Sequence, residues 1–128
     1  MKKISWIFRI AAAAILLQTL YFKFTAQPES VALFTKLGVE PWGRIATGVI
    51  ELITSILLLL PSVVFVGAFL GMGVMAGAIL SHLTIIGIES QQDGGQLFVL
   101  AIITLISCLV TAIIYKKEGA ALFDKLIK

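Results

Sequence analysis

The chain has 128 residues, of which 59% are hydrophobic and 13% charged, with a formal net charge of +3. Soluble domains run at roughly 45–50% apolar and about 25% charged, so no water-facing core of this size hides so much apolar surface. The length allows one domain, and the basic residues gather near the two chain ends, a membrane pattern that argues against a nucleic-acid partner.

Four segments approach the roughly 20 apolar residues that cross a bilayer. The first runs from about Ile4 to Thr25. Met1-Lys2-Lys3 and the alanines from Ala11 to Ala14 also suit a cleaved leader, but Arg9 interrupts the apolar run and the run continues beyond. It is read as a retained span.

A polar connection from Ala26 to Trp42 follows. Gln27-Pro28-Glu29-Ser30 reads as a turn and helix start with Ser30 as the cap, and Val31 to Leu37 has amphipathic spacing. Gly38 ends this short helix, which is predicted to lie along the membrane surface.

Pro41 and Trp42 introduce the second span, from about Ile45 to Leu60, which reaches full length if Gly43 and Arg44 begin it. Pro61-Ser62 joins it tightly to the third span, about Val63 to Ile88. A loop carrying Glu89 and Asp93 leads to the fourth, about Gln96 to Tyr115. The tail from Lys116 to Lys128 mixes lysines with Leu122, Phe123, Leu126 and Ile127, and is predicted to be an amphipathic interfacial helix. The fold class is therefore all-α: one four-helix transmembrane bundle over residues 1–128. Lys2, Lys3, Arg9, Lys116, Lys117, Lys125 and Lys128 place seven of the ten basic residues beside the termini, so both ends are predicted to be cytoplasmic.

Polar residues inside the spans carry the functional signal, because each ionisable group in hydrocarbon costs at least about 2.5 kcal/mol. Glu51 lies about 10 Å below the outer end of its span, on one face with Arg44, Gly48 and Ser55. His82 lies near the outer end of the third span, and the first span contributes Gln18 and Lys23. With the first and third spans running outward, Gln18, Lys23, Glu51 and His82 fall in the outer half of the membrane. They are read as one polar pocket open to the outside, with Arg44 as a fifth candidate ligand-binding residue; the competing reading is a buried network, Glu51 pairing with Lys23 or Arg44, that sets the register of the bundle. The fourth span offers Thr104, Ser107 and Thr111; the inner half offers little beyond Ser62 and Thr111. The rows Gly67–Gly71 and Gly73–Gly77–Ser81 are read as packing faces for two neighbouring helices, or for a second copy of the chain. Cys108 is alone, so no disulfide or dithiol forms within the chain, and it is read as a packing residue. One histidine builds neither a haem pair nor a multi-histidine metal site, and no metal ligand set is assigned.

Certain blocks resemble the DoxX-like family of small four-helix membrane proteins over nearly the whole length. They are Tyr21-Phe22-Lys23-Phe24, the stretch from Gly43 to Leu52 with Glu51, Leu57 to Pro61, and Met75 to Leu83 with His82. The resemblance implies a prokaryotic cytoplasmic membrane and carries over Lys23, Glu51 and His82. Some members resemble subunits of quinone-linked sulfur oxidoreductases, others assembly or chaperone factors. The chain is also similar to disulfide-forming quinone reductases with four helices, but the single Cys108 excludes their dithiol chemistry. The resulting expectation is a pocket for a quinone or lipid-like molecule in a membrane redox system, with Glu51 and His82 exchanging protons and a redox partner supplying electrons. The alternatives are a binding or assembly subunit without chemistry, and a small transporter.

Overall fold

The computed structural model describes residues 2–87 and 95–127. The loop carrying Glu89 and Asp93, and Ile88 at the end of the third predicted span, lie outside the described residues. The described residues form α1 (Lys2–Phe24), α2 (Pro28–Lys36), α3 (Trp42–Leu59), α4 (Val64–Ser81), α5 (Gln96–Ile114) and α6 (Lys116–Ile127). A π-helical turn, His82–Ile86, prolongs α4. Four stretches are long and apolar enough to cross a membrane: Lys3–Phe24, Trp42–Leu59, Val64–Ile86 and Gln96–Ile114. They lie where the sequence placed them.

Around the bundle, α3 packs between α1 and α4, and α5 closes the ring between α4 and α1. The polarity is inverted relative to a soluble protein. Large apolar residues such as Ile7, Ile53, Phe69 and Ile106 are exposed, while Glu51, Thr54, Ser55, His82, Thr104 and Thr111 are buried. Lipid solvates the first set, so nothing forces it inward. Several buried hydroxyls bond to their own helix: Thr54 donates to the carbonyl of Ile50, Thr104 to Leu100, and Thr111 to Ser107. Thr104, Ser107 and Thr111 thus serve the interior of α5.

The centre is built from small residues, among them Ala12, Ala68 and Cys108, each 0% exposed. A methyl at Gly71 would sit 2.5 Å from Sγ of Cys108, and one at Gly67 would strike Leu57. This row packs α4 against α3 and α5. The second row departs from expectation: among the described residues a methyl at Gly73 or Gly77 would meet nothing within 4 Å, so no described helix packs there.

The short helix begins earlier than read. Pro28 takes its first turn, where a fixed φ and missing N–H cost nothing, with Gln27 rather than Ser30 at the cap position and no side-chain cap bond. Gly38, with φ 79°, ends it. The Val39 amide reaches the Phe34 carbonyl and the Gly38 amide that of Thr35, each at 3.0 Å. The short helix forms between the first two spans as expected, and it also packs on the bundle. Phe34 is buried, and Lys36 Nζ donates to the carbonyl of Ile86 at 3.1 Å. The helix crosses the end of the bundle opposite the termini and roofs it. At the other end α6 forms as predicted and rests on α4, where the ring of Phe65 occupies the space left by Gly119.

Candidate functional site

Below the roof lies a cavity of about 720 Å³, bounded by α1, α2, α3, α4 and the start of α5. Gln18, Lys23, Glu51 and His82 all line it, in a wall otherwise largely apolar, with Leu16, Ile50 and Leu100 among its members. Four of the five residues singled out from sequence therefore border one space. Arg44 does not.

Glu51 is 2% exposed, because its face of α3 is the one turned into the bundle. Its Oε1 lies 2.8 Å from Lys23 Nζ, near enough for an ion pair but not aligned as a directed hydrogen bond. Its Oε2 accepts a hydrogen bond from Thr19 Oγ1 at 3.1 Å. Thr19 escaped the sequence reading, although it lies four residues before Lys23 on the same helical face. Gln18, five residues before Lys23, is turned outward and is exposed although it borders the cavity.

Arg44 ties the fold together beside the site. Its Nε donates to both carboxylate oxygens of Glu40, at 2.9 and 3.1 Å, and its Nη1 to the carbonyl of Lys23. That carbonyl belongs to the last turn of α1, where backbone acceptors lack helical partners. The guanidinium thus clamps the end of α1 to the turn before α3, and Glu51 is left to Lys23.

His82 is 2% exposed. Its Nδ1 lies 3.0 Å from the carbonyl oxygen of Gly87. A carbonyl only accepts, so Nδ1 carries the proton in this bond, and Nε2 is the ring's other polar atom. The ring meets Phe98 edge to face at 5.6 Å. The π-helical turn helps set this geometry: the amide of Gly87, φ 89°, bonds to the carbonyl of His82 at 2.8 Å. Such wide turns recur at functional positions.

A second polar cluster, which the sequence reading missed, lies near the termini. Arg9 is 2% exposed rather than a surface charge. Its Nε donates to the Leu58 carbonyl at 2.6 Å, and its Nη1 to the Tyr115 hydroxyl at 3.3 Å. Its guanidinium carbon stands 3.7 Å from the centre of the Trp6 ring, and Ser5 bonds to Tyr115 at 3.0 Å. The half of the bundle nearer the termini is thus more polar than expected.

A family model described as the DoxX-like family matches residues 7–107. No curated protein and no solved structure matches the chain.

Proposed function

The chain belongs to the DoxX-like family and is a multi-pass membrane protein, and from that premise we propose that its cavity binds a quinone-like or lipid-like small molecule as part of a membrane redox system. The observation that carries this reading is the cavity itself. At about 720 Å³ it falls within the roughly 300–1,000 Å³ of small-molecule sites, and its apolar wall is interrupted by the Lys23–Glu51 pair and by His82. A purely structural ion pair needs no such space beside it.

The positive-inside count supports a reading with both termini in the cytoplasm and the cavity in the outer half of an inner membrane. Lys23 presents an ammonium donor to a ligand oxygen, Glu51 a carboxylate that accepts a proton or hydrogen bond, and His82 its imidazole Nε2. A bound quinone would supply coupled electron and proton uptake. With one cysteine and one histidine, the chain depends on a redox partner protein for the electrons.

The test is solvent extraction and mass spectrometry of protein purified in mild detergent, with Glu51→Gln and His82→Ala alongside. A quinone or defined lipid present in wild type and lost from folded variants is the expected result. Wild type devoid of any specific ligand, with variants that are merely less stable, would sink the proposal and favour an assembly subunit whose polar residues hold register.

A further inference from the structure

The antiparallel pair α3 and α4 touches closely near the Pro61-Ser62 turn. There Gly67 backs onto Leu57 and Leu58, and Gly71 onto Thr54. Further along, the facing residues are Ala46, Thr47 and Ile50 on α3, and Gly73, Gly77 and Ser81 on α4. All six line the cavity, and Ala46, Ile50, Gly73 and Gly77 are exposed. Since a methyl at Gly73 or Gly77 would meet nothing within 4 Å, the cavity continues sideways through a gap between the two helices. Its end, in contrast, is roofed by Leu33, Phe34 and Leu37, with α2 fastened through Lys36 to Ile86. A side gap at mid-helix opens on hydrocarbon.

Resting on the reading of the cavity as a ligand pocket, we propose that the gap between α3 and α4 is the entrance and tail site for a single-tailed, neutral amphiphile drawn from the bilayer. Its head lies against the Lys23–Glu51 pair and its tail leaves across Gly73 and Gly77. The head is neutral because Lys23 and Glu51 already balance each other, and an ionic head would leave one charge uncompensated in a low-dielectric site. It carries an oxygen that accepts from Lys23 or a hydroxyl that donates to Glu51. The two glycines set the width of the passage, since any side chain there enters space that no other described residue fills.

The experiment uses the full chain in lipid nanodiscs. Wild type is compared with the double variant Gly73→Leu/Gly77→Leu, and with Ala76→Leu, an exposed position on the same helix outside the cavity wall. The probes are a decyl-tailed benzoquinone, a decanoyl monoacylglycerol, and the benzoquinone ring without its tail. Wild type and Ala76→Leu are expected to bind one of the tailed probes well and the bare ring weakly. The double variant should bind the tailed probe at least about tenfold more weakly, the loss expected when on the order of two methylenes lose their contact. Equal binding of the tailed probe by wild type and double variant overturns the route while leaving the pocket standing. Failure of wild type to bind either tailed probe removes the pocket, and the route with it. If the double variant loses its fold, the single variants are read in the same way.

Discussion

Glu51 is 2% exposed and has Lys23 and Thr19 as polar neighbours. Removing one member of a buried ion pair typically costs about 3–5 kcal/mol, whereas exchanging both for apolar residues of similar size is often neutral. Lys23→Met or Glu51→Leu alone should therefore lower resistance to denaturant markedly, and the double variant should recover most of it. Near-additive losses in that cycle would show that the two side chains do not depend on each other. At Arg9, substitution by Lys retains the charge but loses the planar group that stands over Trp6 while bonding to Leu58 and Tyr115. Hydrogen bonds from charged groups contribute about 1.5–3 kcal/mol, so Arg9→Lys should destabilise by a loss of that order in chemical unfolding. An unchanged midpoint would count against the contact. Glu51, Lys23 and His82 were legible from residue type and depth in a span. Arg9 was not. Its acceptors belong to Leu58 and Tyr115, far away in the chain, and a basic residue near an N-terminus reads as a surface charge when only its neighbours are known. Arg44 misled for a related reason, since its place on the Glu51 face does not reveal that Glu40 and the end of α1 claim it.

Among the helices, glycine spacing alone does not tell packing from open space. Gly67–Gly71 and Gly73–Gly77 carry the same small-residue signature, yet a methyl at Gly71 meets Cys108 and one at Gly77 meets nothing. Overpacking a filled interior costs typically 1–3 kcal/mol, while alanine improves on glycine in an unobstructed helix by about 1 kcal/mol. Gly71→Ala should thus lower the melting temperature in detergent and Gly77→Ala should hold or raise it; the opposite order would show the two rows to be misassigned. The spans were legible because lipid demands long apolar runs, and α6 because its lysines and apolar residues alternate at helical spacing. The contacts of α2 were not, because an amphipathic pattern shows which face is apolar and not which residues lie beneath it. The buried Phe34 and the Lys36 bond hold it over the cavity. Lys36→Ala should speed amide exchange in α2 while the exchange of α3 and α5 stays as it was.

For the molecule as a whole, apolar side chains outside and polar ones inside make the bundle a protein for lipid. Its orientation rests on charge. With Arg9 withdrawn into the interior, Lys2, Lys3, Lys116, Lys117, Lys125 and Lys128 still flank the termini, against Lys23, Lys36 and Arg44 toward the other end. Reporter fusions at the two termini should both be cytoplasmic, and a cysteine introduced at Gln27 should react with an impermeant thiol reagent from outside; labelling only from within would invert the assignment. The clasp around Arg9 bears on how the chain is made. Arg9 enters the membrane with α1, but Leu58 comes from the later α3 and Tyr115 follows α5. Until Tyr115 has been synthesised, that guanidinium is without its full set of partners, and a charged group in hydrocarbon is expensive. The nascent α1 should therefore linger beside the insertion machinery, or stay near the interface, until its late partners emerge. A chain cut before Gln96 should crosslink to the insertase for longer than the full one, and Arg9→Leu should abolish the difference.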